Sequence, residues 1–106
     1  MNRIVYSVTG TAFLGEKTLE GVQVQLYSVA RKEEALLGEA VTDASGYYSV
    51  SYSPAEARRA DRKTIDLLVR ASHPEMVLEP FVSRVAYRAK SSESISIRMR
   101  LPERAG

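Results

Sequence analysis

The sequence predicts an all-β domain of seven short strands, a sandwich or a barrel, with one short helix between the fourth and fifth strands. Apolar and polar residues alternate along most of the chain, as they do in strands with one buried face. Turn residues separate the alternating segments at short intervals, with Asp-Ala-Ser-Gly at the centre. A single Ser-Pro-Ala-Glu run interrupts the alternation and is typical of a helix start.

Alternation defines the first two strands. The first runs from about Arg3 to Phe13, and the second from Val22 to Tyr27. Each places apolar side chains on one row and polar side chains on the other, so each is expected to bury one face. The charged run at 31–34 is interpreted as a solvated hairpin loop.

The central turn joins the third strand, Leu36 to Thr42, to the fourth, Tyr47 to Tyr52. An aspartate such as Asp43 can accept backbone hydrogen bonds at the start of a turn. Gly46 can adopt a left-handed conformation at little cost. Alternation then turns Tyr48 inward, so these three residues are predicted to fix the hairpin.

The helix is predicted from Pro54 to about Asp61 by a capping box. Ser53 is the candidate N-cap, Pro54 occupies the first helical position, and Glu56 stands where it could reach back to the cap. The basic residues that follow are interpreted first as part of a surface crossover.

Alternation also predicts the last three strands. The fifth runs from Thr64 to Ala71, the sixth from Val77 to Ala89 with an interruption at Pro80, and the seventh from Ser94 to Leu101. Residues 1–102 are therefore assigned to one β domain and residues 103–106 to a polar C-terminal tail.

Composition narrows the classes of function. With 106 residues, no cysteine and one histidine, His73, the chain offers one core and no disulfide or histidine cluster. No motif for a nucleophile, a phosphate loop or a metal site occurs, so neither catalysis nor a metal or other cofactor is expected. A net charge of +2 is too mild to predict nucleic-acid binding.

No apolar run reaches the ~18 residues of a membrane-spanning helix, so membrane insertion is not expected. The first residues lack an uninterrupted apolar signal core. The chain is expected to be made in the cytoplasm without a signal peptide of its own, which is compatible with export inside a larger assembly.

Four arginines form the candidate partner-binding site. Arg98 and Arg100 lie on the outward row of the seventh strand, and Arg84 and Arg88 on the outward row of the sixth. If those strands pair, the four share one face, which could bind carboxylates or phosphates bidentately. The alternative is a solvated or internally paired face.

Several stretches resemble a known family, namely 8–10, 19–24, 38–48 and 66–71, the last of them after the helical insert. They are similar to the transthyretin-like, carboxypeptidase-regulatory-like (prealbumin-like) domains. The order of elements resembles the domains found in bacterial insecticidal toxin complexes and beside the spike proteins of contractile secretion systems. The resemblance covers nearly the whole chain.

The resemblance implies a seven-stranded Greek-key β-sandwich that is not an enzyme and serves as a protein–protein interaction or scaffold module. Its partner is expected to be a protein, with an acidic surface if the arginines bind it. Two alternatives stay open. A small transthyretin-related hydrolase would need several histidines, and a carbohydrate-binding module a row of exposed Trp or Tyr. The oligomeric state is not predicted.

Overall fold

The computed structural model describes residues 4–58 and 64–103, which form a two-sheet β-sandwich with one short helix. The described elements, in chain order, are β1 (Tyr6–Leu14), β2 (Lys17–Thr18), β3 (Gln23–Ala30), β4 (Glu33–Val41), β5 (Tyr47–Tyr52), α1 (Pro54–Ala57), β6 (Leu67–Ser72), β7 (Phe81–Val82), β8 (Ser92–Ser94) and β9 (Ile97–Met99).

The first sheet is built around β1. Strand β5 pairs antiparallel with it over Tyr6 to Thr11, and β2 pairs antiparallel with its last two residues. Both β8 and β9 pair with β1 in parallel. The chain therefore returns to its first strand at its end, and β1 lies in the interior of the sheet.

The second sheet has the order β4-β3-β6-β7, and all of its pairs are antiparallel. A bulge in β4 leaves Leu37 without a partner, because Leu36 pairs with Tyr27 and Gly38 with Leu26. Strand β4 lies over β5, since an added Cβ on Gly38 would come within 2.8 Å of the Val50 side chain. The two sheets therefore meet closely along this side.

The core lies between the sheets and follows the predicted alternation. Buried side chains come from β1, β3, β5, β6 and β9, whereas β4 contributes only partly buried ones. The largest of those that are completely buried are Val8, Val22, Val24, Leu26, Tyr48, Leu67, Val69 and Ile97. The two-sheet sandwich predicted from the sequence is confirmed, and its strands are more numerous and shorter at the C-terminal end.

The central turn forms as predicted. The Asp43 carboxylate accepts hydrogen bonds from the backbone N–H groups of Ser45 (2.9 Å) and Tyr47 (3.0 Å), and Gly46 has φ of +78°. Beside it, the buried Thr42 hydroxyl donates to the Leu19 carbonyl (2.7 Å) and accepts from the Val22 N–H (2.9 Å). Thr42 thus joins this turn to the start of β3, a role that the sequence did not reveal.

Tyr48 bridges β5 to the segment between β8 and β9. Its hydroxyl donates to the Ile95 carbonyl at 2.5 Å, and burial raises the pKa of Tyr48 above its usual value. The Ile95 carbonyl reaches this position by passing directly over Gly10, where a Cβ would lie 2.0 Å from its oxygen. The absence of a side chain at Gly10 therefore makes the bridge possible.

The helix is shorter than predicted and its capping box is not formed. Helix α1 ends at Ala57, and Arg58 is already extended; the predicted end at Asp61 lies outside the described residues. The Ser53 side chain makes no capping hydrogen bond, and Glu56 is exposed. Such a short helix has little stability of its own. It is held by its buried residues, Pro54 and Ala57.

The last two predicted strands also differ from those in the structure. Within 77–89 only Phe81–Val82 is a strand, and an isolated bridge joins Ala86 to Leu67. The predicted strand from Ser94 to Leu101 is broken at 95–96, where the chain bends over Gly10, and Leu101 is exposed rather than inward. The tail residues 104–106 and Arg3 at the other end lie outside the described residues.

Tyr52 leads to a testable pH dependence. It is 5% exposed, and its hydroxyl makes no hydrogen bond to any residue of 4–58 or 64–103. Burial, with smaller contributions from Glu93 and Tyr6, raises the pKa of Tyr52 from 10.0 to about 12. Because the folded state holds this proton more tightly than the unfolded chain, its contribution to stability is complete below the unfolded pKa of ~10 and is lost as pH rises towards ~12.

We expect the free energy of unfolding to fall between about pH 9 and pH 11, and Tyr52→Phe to reduce that fall. Because the buried hydroxyl is unpaired within the described residues, the same substitution should not lower stability near neutral pH. Urea unfolding at the two pH values measures both effects. Tyr47→Phe, on the exposed row of the same strand, is the matched control. An equal alkaline loss in the Tyr52→Phe variant and the parent would contradict the assignment.

Candidate interaction surfaces

Arg98 and Arg100 point away from the core, as predicted, because Ile97 and Met99 between and beside them are buried. The Arg98 guanidinium carbon lies 5.4 Å from the centre of the Phe13 ring. This contact holds the side chain on an aromatic surface and leaves its hydrogen-bond donors open. Neither arginine forms an ion pair with another residue of the described part of the chain.

The two arginines line a cleft of about 270 Å³ at the side of the sandwich, and residues 79–82 form its other wall. This wall leads into β7 of the second sheet. A hydrogen bond from the Glu79 N–H to the Arg100 carbonyl (2.8 Å) joins it to the end of β9 in the first sheet. An exposed apolar side chain lines the cleft, since Val82 is 51% exposed. We call this feature the arginine cleft.

Arg84 and Arg88 do not share a face with Arg98 and Arg100, so the predicted row of four is not formed. The strand pairing it required is reduced, among the described residues, to a single bridge between Glu79 and Arg100. Strand β7 pairs with β6 in the second sheet, and β9 pairs with β1 in the first. Arg84 and Arg88 lie in the irregular segment after β7. Arg88 has φ of +53°, and its N–H donates to the Asp66 carboxylate at 3.1 Å.

The outer face of the second sheet carries a network of polar side chains that the sequence reading missed. Arg70 makes two hydrogen bonds to the Glu34 carboxylate, at 2.9 and 2.8 Å, and lies 6.0 Å from the centre of the Tyr27 ring. Tyr27 donates to Gln25, which donates to Glu39. Glu34 was expected in a loop, but β4 begins one residue before it.

The ion pair between Arg70 and Glu34 shifts the pKa of both residues. The hydrogen bonds from Arg70 lower the pKa of Glu34, and those to Glu34 raise the pKa of Arg70. Both groups are solvated, so the pair adds little to stability. Its consequence is that the polar groups at the centre of this face are already bound to one another.

The outer face of the first sheet is different, because it carries rows of uncharged hydroxyl groups. Strand pairing places Ser51, Ser7 and Ser92 in one row, and Ser49, Thr9 and Ser94 in the next. Thr11 pairs with Tyr47 in a third row, and Phe13 with Arg98 marks the end of the face. We call this surface the hydroxyl face.

The side-chain hydroxyls of the hydroxyl face make no hydrogen bond within the described part of the chain. Those on β5 and β8 are exposed, and those on β1 are half-buried. The alternation of Ser7, Thr9 and Thr11 in the sequence was the signal for this face. Only the register of the three strands shows that the hydroxyls form rows.

His73 has a structural role in the turn after β6. Its Nδ1 accepts from the N–H groups of Glu75 and Met76, both at 3.1 Å, so Nε2 carries the proton and donates to the Glu20 carbonyl at 3.1 Å. Among residues 4–58 and 64–103, no three His, Cys, Asp or Glu side chains are placed to hold a metal ion. None of the helices in these ranges is long and apolar enough to cross a membrane.

No protein-family model matches the chain, and no curated protein matches it in sequence. Solved structures do match. A 9R-lipoxygenase from Cyanothece PCC8801 superposes with a TM-score of 0.61 at 16% identity, over 93% of this chain and 17% of the lipoxygenase. The dioxygenase domain of a dioxygenase carbohydrate-binding protein fusion from Streptomyces sp. SirexAA-E gives 0.57 at 14% identity, over 95% of this chain and 82% of that chain.

A third match is a variant of the shaft pilin SpaA from Lactobacillus rhamnosus GG, with a TM-score of 0.57 at 10% identity over 96% of this chain and 52% of the pilin. At these identities the likeness concerns the fold alone. It supports the β-sandwich and shows that similar sandwiches occur inside longer chains. A likeness to toxin-complex domains is not among these findings.

Proposed function

We propose that this domain is a non-catalytic protein-docking module, and that it serves as an accessory domain of a larger bacterial assembly of the toxin-complex or contractile secretion type. The observation that carries the docking role is the arginine cleft. There, two arginines that form no ion pair with the described residues stand beside the exposed Val82 at the junction of the two sheets.

This combination occurs in protein interfaces, where arginine is enriched and the fully buried centre is more apolar than the rim. The guanidinium group binds carboxylates bidentately, so the partner is an acidic segment with an apolar side chain to cover Val82. Arg98 is already ordered by the Phe13 ring, and less side-chain entropy is therefore lost on binding.

The placement within a larger assembly rests on the sequence resemblance. It is also consistent with the solved structures, because the lipoxygenase and the pilin each contain such a sandwich as one part of a longer chain. In this proposal the domain is exported with the assembly and takes no part in chemistry itself.

The test reverses the charges of the cleft. Arg98→Glu with Arg100→Glu is expected to weaken binding of an acidic partner at least tenfold, because two charge-assisted contacts become repulsive. Binding of the parent domain should weaken as salt is raised from about 50 to 300 mM, since the arginines are solvent-exposed and screened. A partner captured from the native host is titrated by calorimetry at both salt concentrations.

Lys17→Glu with Lys90→Glu is the matched control, because both lysines are exposed and the change in net charge is the same. The control should bind like the parent domain. Equal binding by the arginine variant and the control would remove the arginine cleft as the docking site. Circular dichroism of each variant establishes that the sandwich is intact.

A further inference from the structure

We infer that the hydroxyl face is a self-association surface, on which two copies of this chain pack their first sheets face to face. This inference is independent of the arginine cleft and of its acidic partner. It follows from the absence of charge on the hydroxyl face, from the chemistry of the hydroxyl group, and from the contrast with the other sheet.

The first argument is charge. Any face that meets its own copy brings identical charges together, which is unfavourable unless the face is neutral. The rows that contain Ser7, Thr9 and Thr11 hold serine, threonine and tyrosine only, and the charged residues, Arg98 and Arg100, lie at one end. If the strands of the two copies run in opposite directions, the two Arg98 side chains lie at opposite ends of the interface.

The second argument is self-complementarity. In a two-fold symmetric pair, the same group types must bind one another. A hydroxyl both donates and accepts hydrogen bonds, so a row of hydroxyls can pair with a rotated copy of itself. A row of carboxylates or guanidinium groups cannot. Serine and threonine also lose little rotamer freedom when they are covered.

The third argument is the contrast between the two outer faces. On the second sheet Glu34, Arg70, Tyr27, Gln25 and Glu39 already bind one another. The hydroxyl face leaves its polar groups unpaired within the described part of the chain. Its small side chains also give a low surface on which a second sheet can lie at the usual distance of ~10 Å. Tyr47, which is 46% exposed, supplies the apolar contact at its edge.

The size of the face sets the expected strength. Three strands about 4.8 Å apart, with three rows of side chains about 6.8 Å apart along them, give a face of roughly 300 Å² per copy. A standard interface covers about 800 Å² per partner. The association is therefore expected to be weak, with a dissociation constant between about 10 μM and 1 mM.

The test measures mass against concentration by sedimentation equilibrium, up to about 1 mM protein. The parent domain should form a dimer, and its dissociation constant should change little with salt. Ser49→Lys with Ser94→Lys places charges on both sides of Thr9 and should weaken the dimer at least tenfold. Gln23→Lys with Ser72→Lys is the matched control, because these exposed residues pair on the outer face of the other sheet.

A charge-swap experiment identifies the surface directly. The Ser49→Lys/Ser94→Lys variant mixed with a Ser49→Glu/Ser94→Glu variant should form a mixed dimer, although neither dimerises alone. This restoration cannot result from unfolding. A parent domain that stays monomeric at every concentration overturns the inference, and so does a dimer that both lysine variants weaken equally or neither weakens. A dimer that the Arg98→Glu/Arg100→Glu variant alone disrupts would instead place self-association at the arginine cleft.

Discussion

Gly10→Ala is expected to lower the free energy of unfolding by about 3–5 kcal/mol, far more than an alanine normally costs in a strand. The added Cβ would lie 2.0 Å from the Ile95 carbonyl oxygen and 2.9 Å from the Tyr48 ring. Neither neighbour can move freely, because the Ile95 N–H is bound to the Thr9 carbonyl at 2.9 Å and the Tyr48 ring is buried. The segment between β8 and β9 must therefore move outward and lose the hydrogen bond from Tyr48.

Tyr48→Phe separates the two parts of this effect. It removes the hydroxyl that donates to the Ile95 carbonyl but leaves Gly10 and the ring in place, and should cost about 1–2 kcal/mol. Urea unfolding of the parent and both variants gives the comparison. A Gly10→Ala variant no less stable than Tyr48→Phe would mean that the chain does not pass closely over Gly10 and that β8 and β9 do not flank it.

The parts of the fold that depend on residues close together in the sequence could be predicted from it. The hairpin around Asp43 and Gly46 is determined by turn chemistry within a few residues, and the inward rows of β1, β3 and β5 follow from alternation. These segments also hold about half of the core, so the two-sheet sandwich was predictable before the order of its strands.

The pairing of the last strands could not be predicted in the same way. Strands β8 and β9 pair in parallel with β1, which lies about as far away along the chain as the sequence allows. The break at 95–96 depends on contacts with Gly10 and Tyr48. The alternation of residues 94–101 predicts one continuous strand, because it does not reflect these distant residues. Distant contacts of this kind leave the periodicity unchanged.

The candidate sites show the same division. Alternation correctly predicted that Arg98 and Arg100 point outward. It could not predict which sheet the segment that contains Arg84 and Arg88 would join. The capping box failed for a related reason. Burial of Pro54 and Ala57 fixes α1, so the capping hydrogen bond is not needed to hold it. The hydroxyl face needed the register of three strands.

Gly46→Val is expected to destabilise the domain by about 3–5 kcal/mol, for two reasons that act together. Gly46 has φ of +78°, a conformation that a β-branched residue adopts only with strain. An added Cβ would also lie 2.9 Å from both the Ala12 carbonyl oxygen and the Thr18 Cβ. These contacts lie where β1 meets β2, and the Gly46 carbonyl itself accepts from the Ala12 N–H at 2.8 Å. The turn cannot move away without breaking this bond.

Gly15→Val isolates the conformational part of the cost. Gly15 has φ of +63°, close to that of Gly46, but an added Cβ there meets no atom within 4 Å. We therefore expect Gly15→Val to cost about 1–3 kcal/mol, clearly less than Gly46→Val. Urea unfolding curves of the parent and the two variants measure the difference, which is the contribution of packing between the central turn and β1. If the two variants were equally unstable, backbone strain alone would explain Gly46, and the close packing of the turn against Ala12 and Thr18 would be wrong.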